Sequence, residues 1–283
     1  MPEPAELEEL PALTPKPVRS RVVQASCLPE INPKQRSCTH ENAVTDQPAP
    51  AETQPDEAGV AAYAVRDVAG STVEGRVLFQ GPAPPPKRVQ VTQDAEFCGR
   101  QREVYSLRMR DSGVDEAVVW IENIQQGKSF AFPPPLLNQK GCEYLPHVSV
   151  MAPGEIEITS EDPIPHNIHT YAQNNREYNE SMNTLRPKIS LRFPRPDIIS
   201  VRCDLHGWMQ GYVVVAKNPY YAITSQGGRF RLENVPPGQY RLKVWSESMG
   251  ESEQEQEIVV EAGKVTRADF TLQSPTAATG GGK

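Results

Sequence analysis

Three side chains of different softness, Cys203, His206 and Met209, stand in the spacing C-x2-H-x2-M. Apolar, strand-like runs flank them, Ile198-Ile-Ser-Val201 before and Tyr212-Val-Val-Val-Ala216 after. A loop this short between two strand ends turns the three side chains toward one point. A thiolate, an imidazole and a thioether at one point suit a soft, redox-active metal. Copper in electron-transfer sites takes such a Cys–His pair with a weakly held Met, and a second His completes the plane. That second His is available upstream, in Asp162-Pro-Ile-Pro-His-Asn-Ile-His-Thr-Tyr171.

Other site chemistries lack their residues. No C-x2-C pair supports zinc, and no C-x2-C-H run supports haem attachment. No paired carboxylates, Ser–His–Asp order or phosphate-binding loop stands out. Four of the five histidines, His147, His166, His169 and His206, fall between 147 and 206. In an extended segment Asn167 and His169 face away from His166, so His169 is expected to point away from the metal. His147, on an alternating strand, is expected to pack between sheets with one hydrogen bond.

The two motifs together, Pro165-His-Asn-Ile-His169 and Cys203-Asp-Leu-His-Gly-Trp-Met209 followed by Gly211-Tyr-Val-Val-Val215, resemble the plastocyanin/amicyanin branch of the cupredoxins. The short loop is more similar to that of amicyanin than to the longer loop of plastocyanin. The likeness covers roughly residues 138–216. It implies one type 1 copper, with His166, Cys203 and His206 as strong ligands and Met209 as the axial one. It implies that the Asn167 amide binds the two ligand segments together, as such outer hydrogen bonds fix ligand geometry. Trp208 is expected to shield the copper or to offer an apolar docking patch, and His206, at the loop tip, to be the electron exit. Gly207 departs from the family, whose members commonly have Pro there, and loosens the loop. The family's first strand has to come from residues 102–124 or be missing.

The bulk properties fit a β-protein with loops. The chain has 283 residues, 28 prolines, 37% hydrophobic residues and a net charge of -7. A nucleic-acid partner is not expected, because no basic cluster with interleaved aromatics occurs. No run of about 18 apolar residues is present, so no membrane span is expected. With Cys203 assigned to the metal, Cys27, Cys38, Cys98 and Cys142 remain, which allow three pairings. Cys98 and Cys142 both fall in the folded part and are the expected pair; an even remainder is compatible with an oxidising compartment.

Along the chain, residues 1–69 read as a disordered acidic tail. The first 60 residues hold ten prolines and ten acidic against five basic residues, and aromatics are absent until Tyr63. Such a segment cannot bury enough apolar surface to offset chain entropy. No signal peptide is visible, since an apolar core is missing there. A periplasmic or extracellular location is therefore an implication of the resemblance. Alternating strands are expected at 72–79 and 105–109, and a buried strand at 116–123. The runs 142–150 and 155–159 read as a hairpin about Ala152-Pro-Gly154. Residues 171–185 read as irregular, and 188–193 as a strand. The tail 275–283 reads as disordered.

From 218 to 272, short strands alternate with Gly/Pro turns, the pattern of a small β-sandwich. The pattern G-x-F-x-L-x-x-V-P-P-G-x-Y-x-L from Gly228 to Leu242 resembles the carboxypeptidase regulatory-like, or transthyretin-like, domain. That family begins with strands similar to Val73-Glu-Gly-Arg-Val77 and Ala117-Val-Val-Trp-Ile121, which here stand far upstream. The expected arrangement is all-β and discontinuous. Residues 70–127 and 217–274 form one sandwich, and a cupredoxin-like Greek-key domain, 128–216, lies between its halves. The implied function is electron transfer to a redox protein partner, without enzymatic turnover; copper oxidoreductase chemistry is a lesser alternative. The reading from another class is a cell-surface or periplasmic binding or scaffold module whose copper site is structural, a store, or empty. Copper carriage or sensing is a third.

Overall fold

A computed structural model describes residues 63–66, 69–250 and 252–273 of the protein. Most of the expected disordered leader, with Cys27 and Cys38, and the tail 275–283 lie outside the described residues. The chain is almost wholly β, with a single short helix, Ala95–Cys98, and one 3-10 turn among those residues. Two β-sandwiches account for it.

The first sandwich faces a four-stranded sheet with a five-stranded one. The four-stranded sheet runs in the order Tyr144–Leu145, Leu136–Gln139, Gly154–Ser160, Lys188–Phe193. The other runs Val148–Met151, Gln210–Val215, Asp197–Arg202, His166–Tyr171, Asn179–Met182. This sandwich falls within the stretch expected to be cupredoxin-like. Its core holds Leu137, Tyr144, Ile156, Ile158, Ile168, Leu191, Phe193, Ile199 and Val213. The alternation of Lys188–Phe193, exposed then buried at every step, is what one solvated and one packed face require.

The second sandwich uses chain from both sides of the first. Strand Ser71–Gln80 pairs with Arg229–Val235, Val265–Arg267 and Phe270–Gln273. Strand Val118–Ile121 pairs with Tyr221–Ile223 and Gly238–Trp245, and Gln254–Val260 completes that sheet. Between these sheets lie Val73, Val77, Val119, Ile121, Phe230, Leu232, Leu242, Val244 and Ile258.

Two strands bury both faces, and this joins the sandwiches. Val119 and Ile121 point into the second core, while Val118 and Trp120 point the other way. Val213 and Val215 point into the first core, while Val214 points out toward Trp120 and Trp245. A continuous apolar run such as Val118-Val-Trp-Ile121 is the expected sequence of a strand covered on both sides. Tyr212 meets Trp245 edge-on, with ring centroids 4.9 Å apart, and Trp120 stacks on Tyr221 at 5.6 Å.

Several expectations need correction. Residues 63–66, assigned to the tail, are ordered: Ala64–Val65 pairs with Gln126–Gly127, and Tyr63 donates to the Lys128 carbonyl. Tyr63 is the first aromatic, and its ring packs against Phe130. The first strand of the first sandwich is Leu136–Gln139, not a segment of 102–124, because Val118–Ile121 is committed to the second sandwich. The runs 148–151 and 154–160 are not a hairpin. The chain crosses between sheets there, and Val148–Met151 runs parallel to Gln210–Val215. A Pro153 without an N–H cannot continue a ladder, which favours leaving the sheet. The stretch 171–185 contains a strand, Asn179–Met182, on the open edge of His166–Tyr171. Its Asn-Glu-Ser composition hid it, since polar edge strands carry little apolar signal.

Trp245 ties the two sandwiches and is almost fully buried. Trp245→Ala should destabilise the protein by about 3–5 kcal/mol, the usual range for truncating a buried aromatic. Urea denaturation measures it; a loss under about 1 kcal/mol would show that the contact carries no stability.

Candidate metal centre

The three strand ends that matter belong to one sheet. His166 is the first residue of His166–Tyr171, Cys203 follows Asp197–Arg202, and Met209 precedes Gln210–Val215. Antiparallel pairing places these ends side by side. The loop between the last two closes on itself. Cys203 N–H donates to Met209 O at 3.2 Å, and Met209 N–H to His206 O at 2.8 Å.

His166, Cys203 and His206 form a triangle of potential donors. Nδ1 of His166 lies 3.0 Å from Nδ1 of His206. The Cys203 Sγ is 3.9 Å from the first nitrogen and 3.6 Å from the second. A triangle with these sides has a circumscribed radius of about 2.1 Å. Transition-metal bonds to imidazole are about 2.0–2.1 Å and to thiolate about 2.3 Å, so one ion fits within reach of all three. The three are buried, and Cys203 is a free thiol. Met209 is buried in the same core, beside the Cys203 loop.

Asn167 joins the strand to the Cys loop. Its Oδ1 accepts from Asp204 N–H at 2.6 Å, and its Nδ2 donates to Asp204 Oδ2 and to Asn179 Oδ1. Trp208 lies against His206, with centroids 5.1 Å apart, and its Nε1–H donates to Cys142 O. His169 is outside the triangle and hydrogen-bonds to Asp204 at 3.0 Å. His147 is also outside it. It meets Glu247 at 2.6 Å and stands edge-on to Tyr212, at the junction with the second sandwich.

Burial sets the protonation tendencies. It pushes the Cys203 thiol up, opposed by the nearby backbone N–H groups of Asn167, His206 and Leu205. It pushes His166 down, against the pull of the Asp162 carboxylate. Asp204 is held below the usual carboxylate range chiefly by its bond to His169.

Two carboxylates escaped sequence reading. Asp162 Oδ2 lies 2.9 Å from His166 Nε2, and Asp94 Oδ2 lies 3.0 Å from His206 Nε2. Asp162 stands four residues before His166 in the quoted motif, which is a usable signal. Asp94 is 112 residues from His206, and nothing local marks it. Its arrival corrects the expected electron exit: His206 is not exposed at a loop tip but completely buried. The expected disulfide is present, joining Cys98 to Cys142. At Gly207, by contrast, an added Cβ would meet nothing within 4 Å.

Comparisons with known proteins match parts of the chain. Residues 208–273 match the family described as carboxypeptidase regulatory-like domain. No curated protein matches the chain. Among solved structures it is similar to an oxidized mutant of amicyanin, at 22% identity and a TM-score of 0.27 over 31% of this chain and 90% of that one. It is similar to the purple cupredoxin from Nitrosopumilus maritimus, at 21% identity and 0.26 over 29% of this chain and 99% of that one. It is also similar to the copper-containing nitrite reductase NirK from Thermus scotoductus SA-01, at 18% identity and 0.28 over 31% of this chain, which spans 24% of that protein.

Two substitutions test the local frame. Asn167→Ala leaves the Asp204 N–H without its acceptor and should cost about 1–3 kcal/mol in the metal-free protein. Gly207→Ala should stabilise it by about 0.4–1 kcal/mol, by restricting the unfolded chain. Chemical denaturation reads both. An unchanged Asn167→Ala, or a destabilised Gly207→Ala, contradicts the geometry.

Proposed function

We propose that this protein is a mononuclear type 1 copper, electron-transfer protein. His166, Cys203 and His206 would hold the metal, with Met209 as a further, weak ligand. The copper module, residues 128–216, is set between the halves of a transthyretin-like sandwich, 70–127 and 217–274. The observation that carries this reading is the buried triangle of two imidazole nitrogens and one thiol sulfur, sized for a single ion.

Copper bound there supplies a one-electron couple. The protein's part is to hold the donors still. The sheet pairs the strands that bear His166 and Cys203, and Asn167 fastens the Cys loop to the His strand. A set of donors fixed in advance changes little between oxidation states, and small rearrangement favours fast electron exchange. The three donors are buried, which excludes water from them. Trp208, half-buried against His206, is the aromatic path from the site toward the surface and takes the role of docking contact for a redox protein partner.

Two observations bear on the wider role. A cleft of about 650 Å³ runs between the sandwiches, and none of the donors lines it. The Cys98–Cys142 disulfide supports a periplasmic or extracellular setting, where such bonds persist. No helix among the described residues is long and apolar enough to cross a membrane.

Adding Cu(II) to the purified protein should give an intense thiolate-to-copper absorption in the visible range at one copper per chain. Cys203→Ala should abolish it. Binding without that band, or a band that survives Cys203→Ala, would remove the electron-transfer reading and leave a scaffold with adventitious copper.

A further inference from the structure

The two carboxylates behind the imidazoles form a mount of their own. Asp162 is pinned: Oδ1 accepts from Gly141 N–H at 2.6 Å, and Oδ2 accepts from Cys142 N–H at 2.8 Å besides facing His166 Nε2. Asp94 is poised differently. Its backbone is left-handed, with φ 53°, a conformation that Asp tolerates better than most residues. It stands at the start of helix Ala95–Cys98, where an Asp side chain commonly caps the helix, yet it makes no cap bond. Its carboxylate turns instead to His206.

One covalent bond ties the two mounts together. Cys98 N–H donates to the Asp94 carbonyl at 2.8 Å, and Cys98 is bonded to Cys142, whose own N–H holds Asp162. Val91 and Cys98 pack in the core of the first sandwich. The 91–98 segment is therefore a strap, anchored at both ends, that lays Asp94 against the Nε2 edge of His206.

We propose that Asp94 and Asp162 are positioning residues of the copper centre, fixing both imidazoles with Nδ1 toward the metal and favouring its oxidised state. This rests on the copper reading above. A carboxylate accepts and does not donate, so each ring carries its proton on Nε2. Both Nδ1 lone pairs then aim at one spot from 3.0 Å apart, an arrangement that a cation at that spot relieves. Carboxylates bonded to the far nitrogen of metal-bound histidines fix ring orientation and raise ligand basicity. Two negative charges behind the site stabilise the higher positive charge more than the lower.

Asp94→Asn isolates the charge. Asn keeps an oxygen acceptor for Nε2–H and tolerates the left-handed backbone. Asp162 is the poorer choice, because both its oxygens accept backbone N–H bonds and an amide would turn a donor against one of them. In Asp94→Asn the ratio of Cu(II) to Cu(I) affinity should fall about tenfold, read as a rise of about 59 mV in reduction potential, with the thiolate band retained. In the Cu(I)-loaded wild type, nitrogen NMR should show both rings protonated at Nε2 and the His206 proton protected from exchange. Asp94→Ala should remove that protection at His206 alone. A potential unchanged in Asp94→Asn, or a His206 proton on Nδ1 or exchanging freely in the wild type, overturns the proposal. Absence of a thiolate band in the wild type defeats the copper reading instead. The same NMR measurement on metal-free protein still decides whether the carboxylates fix the tautomers: Nε2 protonation in both rings upholds the mount, and Nδ1 protonation of His206 refutes it.

Discussion

Two imidazole nitrogens and a thiol sulfur, taken out of water and held within 3.0–3.9 Å of one another, are the constraint on which this structure depends. Buried polar groups without compensation are costly. The protein meets that cost at the back of each ring with a carboxylate. The front of each group faces the common centre. Sheet pairing supplies the position, since strands 166–171, 197–202 and 210–215 are neighbours. Asn167 then locks the one loop that the sheet does not control.

The second sandwich bears on this centre through packing. Its sheet lays Val118, Trp120 and Trp245 on the outer face of the five-stranded sheet, so that strand 210–215 is covered on both sides. A strand packed twice resists shear, and this one begins immediately after Met209. The chain between the second sandwich's first strands also provides the 91–98 strap, and with it Asp94. The site thus draws residues from 94, 162–167 and 203–209, although its donors come from the last two segments alone.

What could be read from the residues followed the range of the interactions. The C-x2-H-x2-M loop and the His-Asn dipeptide announce a site because their spacing is local. Alternation marked strands such as 188–193 and 71–80, where one face is wet. The transthyretin-like pattern marked 228–242 for the same reason. Contacts of long range were hidden. Leu136–Gln139 enters the first sandwich as a parallel partner of 154–160, and nothing in its four residues states which sheet it joins. Asn179–Met182 is a polar edge strand, and Asp94 reaches His206 across 112 positions of chain. The burial of His206 followed from that same contact and was invisible for the same reason.

X-ray absorption at the copper edge, on protein loaded with one equivalent, reads the donor atoms themselves. Two nitrogen scatterers near 2.0 Å and one sulfur near 2.3 Å, about the lengths common to imidazole and thiolate bonds, are the expected shell. A shell of nitrogen and oxygen alone, with no sulfur, would contradict the account.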